Sequence, residues 1–289
     1  MLARALPGAI LGDATAVHKA RVASRRVREA LPVVLAGAPA KKRRKLAEEV
    51  QRVTRALGPV RELDVSLGVI SELAAEHLDA DGGLTVLRQH LEVQRQAYRE
   101  RLVGKLEDYD VRRLTSRVER LLTKGRRVAQ PDVNALAVLM VRLTRRAEEL
   151  HTSIHDAGPM YAPEPIHAVR IATKKLRYAF ELAHDLRLLS SRRALTRLKL
   201  TQETLGRLHD LQVIVQRLAV VQASMPRSNP AIDALTALAA ILEDRCREQH
   251  ARYLLQRERL LTAVDAALGD VTARAAQMSE TDSPRVEIQ

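Results

Sequence analysis

Apolar residues recur every three or four positions along almost the whole chain, and no stretch alternates apolar and polar residues with period two. This pattern predicts an all-α protein. Leu46, Val50, Val53 and Leu57 make one stripe, and Leu63, Leu67, Ile70 and Ala74 make the next beyond Gly58-Pro59. Leu136, Met140, Leu143, Ala147 and Leu150 form a third, on a helix that Asp132 is placed to cap. Turn-forming residues gather at 37–39, 58–59, 81–83, 158–165 and 226–230, leaving long helices joined by short turns, as in helical bundles. The polar tail from Ser279 is expected to fray.

The pattern is also duplicated. VHKARVASRRVREAL at residues 17–31 returns as IHAVRIATKKLRYAF at 166–180, a shift of 149 positions. His18 matches His167, Arg21 matches Arg170, Arg25 and Arg26 match Lys174 and Lys175, and Arg28 matches Arg177. Leu57, Gly58, Arg61, Glu62 and Val65 fall opposite Leu205, Gly206, His209, Asp210 and Val213. Leu84, Thr85, Leu87, Leu91 and Glu92 fall opposite Leu235, Thr236, Leu238, Leu242 and Glu243. Three blocks in one order at near-constant offset imply two tandem structural halves. The expected division is 1–128 for the first, 129–278 for a bridging helix and the second, and 279–289 for the tail; 158–165 is the best linker into the second copy.

Composition narrows the class. With 46% hydrophobic residues in 289, the chain has ample material for sizeable cores. One Phe, five Tyr and no Trp leave those cores to aliphatic side chains. The single cysteine, Cys246, excludes an internal disulfide framework and a Cys-rich zinc site, and reads as a buried or incidental thiol. The first residues lack a signal-like apolar core, and no stretch approaches the ~20 apolar residues of a membrane helix, so a soluble cytoplasmic protein is expected. A net charge of +13, from 48 basic and 35 acidic residues, points to polyanionic partners.

The duplicated segment concentrates that charge. At about 100° per residue, positions i, i+3, i+7 and i+10 share one side of a helix. His18, Arg21, Arg25 and Arg28 occupy them, as do His167, Arg170, Lys174 and Arg177, while Ala20, Val27 and Leu31, and in the second copy Leu176 and Phe180, fall opposite. Residues 17–28 carry five Lys/Arg and no acid, and 166–177 carry four and no acid. Ordinary exposed helices mix signs, and like charges at this spacing disfavour folding, so an anion site is expected on each strip. The cluster of Lys41, Lys42, Arg43, Arg44 and Lys45 follows the first strip; its thinner counterpart is Arg192, Arg193, Arg197 and Lys199. Arg61 and Arg207 are expected to open the third helix of each half, where backbone N–H groups favour phosphate, and His209 stands opposite Arg61. A further basic group, Arg112, Arg113, Arg117, Arg120, Lys124, Arg126 and Arg127, carries few repeat cues and reads more readily as plain surface.

Histidines flanked by cations suit phosphate better than a divalent metal. Three His-Asp dipeptides, at His155, His184 and His209, weakly resemble the metal dyad of helical HD-type phosphohydrolases. At the third, the first copy has Arg61-Glu62, and Glu62 and Asp210 are expected to cap a helix or orient an arginine. No GxxxxGK[ST], HExxH, GxSxG or CxxC is present. No catalytic residue, metal or cofactor is therefore assigned.

HxxRVxxRRxR from His18, HxxRIxxKKLRY from His167, and the LG-containing segments at Leu57 and Leu205 resemble the CHAD family, the helical domain named for its histidines. The resemblance covers roughly residues 13–261. It implies paired four-helix bundles related by pseudo-two-fold symmetry, with a basic groove or channel that binds inorganic polyphosphate, and association with polyphosphate granules. The acidic, strand-borne motif of the triphosphate-tunnel enzymes that often accompany the family is absent, so a stand-alone, non-catalytic binding module is expected. Candidate contacts are His18, Arg21, Arg25, Arg26, Arg28, Lys42, Arg43, Arg44, Arg61, His167, Arg170, Lys174, Lys175, Arg177, Lys199, Arg207 and His209. The scarcity of aromatic residues argues against single-stranded nucleic acid, which is held largely by stacking. Binding to a nucleic-acid backbone is the alternative, and an HD-like phosphohydrolase a more distant one. Oligomeric state is left open.

Overall fold

The helical periodicity is realised throughout. The computed structural model describes residues 1–76, 82–106, 109–125, 133–189 and 192–281, and every regular element among them is an α-helix. In order these are α1 (Leu2–Ile10), α2 (Ala14–Val34), α3 (Ala40–Ala56), α4 (Gly58–Ala75), α5 (Gly83–Leu106), α6 (Val111–Gly125), α7 (Val133–Ala157), α8 (Pro163–Asp185), α9 (Arg193–Ala223) and α10 (Ala231–Thr281). Asp81, Arg126, Arg127 and Asp132 lie outside the described residues, as do the side chain of Lys124 and the tail beyond Thr281. No helix among the described residues is long and apolar enough to cross a membrane.

Starts and stops follow local chemistry. Asp13 caps α2 by accepting the Ala16 N–H at 2.6 Å, and Asp110 caps α6 through the Arg113 N–H at 2.9 Å. Proline occupies the first turn of α4 and of α8, where its missing N–H costs nothing. Glu164 adds a negative charge to the first turn of α8, favourable against the helix dipole.

The apolar stripes form the core. Leu46, Val50, Val53 and Leu57 are all buried, as are Leu63 and Ile70, and Leu143, Ala147 and Leu150. Leu67, Ala74, Leu136 and Met140, at the stripe edges, are half-buried, and Leu139 takes a buried place on α7 instead. Leu84, Leu87 and Leu91 of α5 are buried, and so are their sequence counterparts Leu235, Leu238 and Leu242 of α10. Each such side chain contributes about 1.5–3 kcal/mol on leaving water. Cys246, the chain's single cysteine, is buried and forms no disulfide.

The first helix is not marked by apolar spacing. The nine residues of α1 include Pro7 and Gly8, which disguise a buried face of Leu2, Ala5, Leu6 and Ala9 packed toward α5. Gly12 ends that segment with φ +85°, and Arg99 of α5 donates to the Leu11 carbonyl at 3.0 Å. The positive φ is what favours glycine here, and a Cβ, 2.1 Å from the Arg99 Nη2, would also push that guanidinium off the Leu11 carbonyl.

The chain forms two compact units. One comprises Met1–Arg28, Lys45–Val118 and Gly206–Ala251; the other comprises Glu29–Arg44, Glu119–Leu205 and Arg252–Gln289. In the first, α4 packs on α5, and the start of α5 comes so close to α10 that a Cβ on Gly83 would lie 3.2 Å from the Ala234 carbonyl oxygen. In the second, α7 packs along α8. The α2 strip belongs to the first unit and the α8 strip to the second.

Candidate functional site

In α2, Val17, Ala20, Ala23 and Leu31 are buried, while His18 and Arg26 are exposed and Arg21, Arg25 and Arg28 are half-buried. Ser24 is buried with them, donating to the Arg21 carbonyl at 2.9 Å and lying 2.8 Å from the Thr54 hydroxyl. That polar pair seats α2 on the last turn of α3. Arg21 reinforces the seat: its Nη1 donates to the Thr54 carbonyl at 3.0 Å, one of the carbonyls a helix C-terminus leaves unpaired. A guanidinium has five N–H groups, so this cap and an anion contact are compatible. The same Nη1 lies 3.0 Å from where a Cβ on Gly58 would be, so the bare backbone at the start of α4 makes room for it.

Arg61, in the first turn of α4, completes this cluster. Partial burial of the His18 ring, and then the positive charges of Arg61 and Arg25, hold its pKa below the ordinary histidine value. Among the described residues, Arg25, Arg28 and Arg61 make no ion pair with a carboxylate. Two helices thus bring His18, Arg21, Arg25 and Arg61 to one cationic edge.

The α8 strip is built alike and finished differently. Ile166, Val169, Ala172, Leu176 and Phe180 are buried, and Thr173, at the position matching Ser24, donates to the Val169 carbonyl at 2.8 Å. His167 is exposed, and burial of its ring followed by the charges of Arg170 and Lys174 lowers its pKa. The C-terminal part of this strip, however, has internal partners. Arg177 pairs with Glu181, donates to the Gln202 side chain at 2.7 Å, and stands over the ring of Tyr178 at 4.7 Å. Lys175 lies 3.6 Å from Glu149.

The remaining candidates divide among roles. Arg43 donates to the Ala36 carbonyl at 2.8 Å and caps the chain leaving α2. Lys42 and Arg44 are exposed, and all three fall in the compact unit that holds α8. Lys199 is exposed, with Glu203 at 3.9 Å. Arg207 and His209 fall in the unit that holds the α2 strip. Arg207 does not open a helix, contrary to the sequence expectation: α9 runs unbroken from Arg193 to Ala223 through Gly206. The first copy reads Gly58-Pro59 and the second Gly206-Arg207, so only the first has the proline that ends one helix and starts the next. Arg207 instead pairs with Glu72 at 2.6 Å.

A model of the CHAD domain matches residues 1–219. The chain belongs to the CHAD domain family. Among solved structures, it is similar to the CHAD domain from the plant Ricinus communis, at 26% identity over 89% of this chain and 82% of that one, with a TM-score of 0.57. PptA from Streptomyces chartreusis is similar in fold, at 19% identity over 91% of this chain and 93% of that one, with a TM-score of 0.59. No curated protein matches the chain.

Within this CHAD domain, ion pairs that no local spacing foreshadows tie residues far apart in the chain together. Arg217 reaches Glu62 at 2.8 Å and Arg245 reaches Glu76 at 2.5 Å, so that with Arg207 three arginines meet three acids of one stretch of chain. Glu62 therefore orients an arginine, one of the two roles anticipated for it. On α7, Glu149 accepts from Arg146 at 2.6 Å and Arg145 at 3.2 Å, besides facing Lys175. Partial burial pushes the Glu149 pKa up, but the Arg146 hydrogen bond and the three positive charges outweigh it and the net direction is down. Of the His-Asp dipeptides, His155 and Asp156 are exposed and 3.4 Å apart, while His184 meets the Leu189 carbonyl at 3.2 Å. Among the described residues no three His, Cys, Asp or Glu side chains cluster as a metal site would require.

Proposed function

We propose that this CHAD domain is a non-catalytic binder of inorganic polyphosphate, in which the α2 and α8 strips each grip phosphates through Arg, Lys and His, and that it associates with polyphosphate granules. The observation that carries the reading is the α2 edge, where Arg25 and Arg61 crowd His18 with positive charge and, among the described residues, pair with no carboxylate. An external anion relieves that repulsion. Family membership supports a phosphate polymer, and the six aromatic residues of the chain supply little surface on which bases could stack. Arg21, given its bond to Thr54, serves as a cap and a phosphate contact together.

Competition binding tests this reading. Long-chain polyphosphate is expected to displace duplex DNA and RNA at lower concentration than either displaces it, and the reverse order would move the assignment to a nucleic-acid backbone. Log affinity is expected to fall with log salt by about 0.7 per phosphate neutralised, a scale taken from single-stranded nucleic acids, and a slope reporting only one contact would contradict an extended grip. Phosphate release on adding Mg²⁺ or Mn²⁺, abolished by Asp210→Ala, would show an enzyme.

A further inference from the structure

The groove along α7 and α8 contains a feature that the paired strips do not explain. A cavity of about 560 Å³ opens there, lined on the α8 side by Ala168, Ile171, Ala172 and Lys175 and on the α7 side by Arg145, Glu148 and Glu149 among others. Three cations from two helices converge on the carboxylate of Glu149, Arg146 at 2.6 Å, Arg145 at 3.2 Å and Lys175 at 3.6 Å, and of these Arg145 and Lys175 line the cavity.

As a device for helix stability this arrangement is poor. Both arginines precede the acid along α7, the weaker orientation for such pairs, and Arg145 remains 76% exposed. Glu149 alone pairs with all three cations; Glu148 also lines the cavity, but among the described residues it forms no ion pair with any of them. The geometry is instead that of an oxyanion cradle: guanidinium and ammonium donors surround a two-oxygen acceptor at a solvent-open rim. Lys175 belongs to the α8 strip, so the cradle adjoins the residues already assigned to phosphate. The Arg145 and Lys175 sides of the cluster face solvent, so these pairs are individually weak, and a polymer presenting one charge per phosphate along several successive units can replace a single carboxylate there.

Building on the polyphosphate reading, we infer that Arg145, Arg146 and Lys175 form an additional phosphate subsite in which Glu149 is an internal stand-in, displaced when the polymer binds. Glu149 thus sets a threshold: short or dilute anions leave it in place, and long chains, held already along α8, replace it.

Glu149→Gln keeps the shape and removes the competing charge. Titrated with defined-length polyphosphate, this variant is expected to bind about fivefold more tightly than wild type, the scale of removing one unit charge about 4 Å from a phosphate in water. Its salt slope is expected to steepen by about 0.7. Adding Arg145→Gln and Lys175→Gln should abolish the gain. Unchanged or weaker binding by a folded Glu149→Gln protein overturns the inference, because a carboxylate that merely organises the cations would weaken binding when neutralised. Should the variant not fold, the side-chain Nε–H signals of Arg145 and Arg146 in the wild type decide the question. They are expected to shift as polyphosphate saturates the protein, and unmoved signals at saturation overturn the subsite. A wild type that binds no polyphosphate sinks the parent reading, and the cradle then stands or falls on whether Glu149→Gln binds inorganic triphosphate.

Discussion

The α2 and α8 strips carry the same ladder of His, Arg and Lys, yet their surroundings leave them in different electrostatic states. On α2, Arg25 and Arg28 have no carboxylate partner among the described residues, and Arg61 adds a further positive charge. On α8, the matching end of the ladder is answered from within: Glu181 and Gln202 hold Arg177, and Glu149 holds Lys175. Part of the difference lies in single residues, since the position matching Glu181 in the first copy is the uncharged Pro32. A repeated motif therefore does not guarantee a repeated role. On the proposed reading, Arg25 and Arg28 of the α2 strip are open to an incoming anion, whereas the α8 strip would divide its cations between that anion and the fold.

The sharpest way to break this comparison is charge reversal at matched positions. Arg25→Glu is expected to weaken polyphosphate binding by roughly 30-fold, about 2 kcal/mol for a two-unit change of charge close to the ligand, with little change in thermal stability. Arg177→Glu is expected to cost less affinity and more stability, about 1–3 kcal/mol, as Glu181, Gln202 and Tyr178 lose their shared partner. Calorimetric titration alongside thermal melts separates the two outcomes. Equal affinity losses with unchanged melting would erase the distinction.

The glycines offer a smaller, cleaner contrast. Gly206 lies inside α9 with nothing within 4 Å of a would-be Cβ, so Gly206→Ala is expected to stabilise the fold by up to about 1 kcal/mol. Gly58→Ala brings a methyl to 3.0 Å from the Arg21 guanidinium and is expected to gain nothing and to loosen the Thr54 cap. Denaturant titrations of the pair measure it; stabilisation of both variants alike would show that Arg21 is not seated as described.

The smallest effect is the pH dependence. Folding holds His18 and His167 below 6.5, so just below that pH the folded protein binds fewer protons than the unfolded chain. Stability from these groups is present above the unfolded value and falls as pH drops through it. Bound polyphosphate favours the charged rings and opposes that loss, so affinity should strengthen on acidification and go on strengthening to a lower pH than an unperturbed histidine would give. Melts at pH 7.5 and 5.5, with and without polyphosphate, should show the opposing slopes, and a His18→Gln, His167→Gln double variant should lose both.

Much of this protein could be read without coordinates. Period-3.6 burial marked Leu46, Val50, Val53 and Leu57, and residues repeated at a fixed offset marked both strips, because helix formation and side-chain facing are local properties that spacing encodes. The nine-residue α1 escaped because Pro7 and Gly8 mask so short a pattern. The continuity of α9 escaped because the matching of copies emphasised the shared glycine, whereas the decisive residue was the unshared Pro59.

Which cations are neutralised was settled only in three dimensions. The pairs Arg217 with Glu62, Arg207 with Glu72 and Lys175 with Glu149 join residues 155, 135 and 26 positions apart. Charge count and helical spacing establish that a positive edge exists, but its net charge depends on which acids the folded chain carries to it. Those approaches are set by the packing of whole helices, and no local pattern records them.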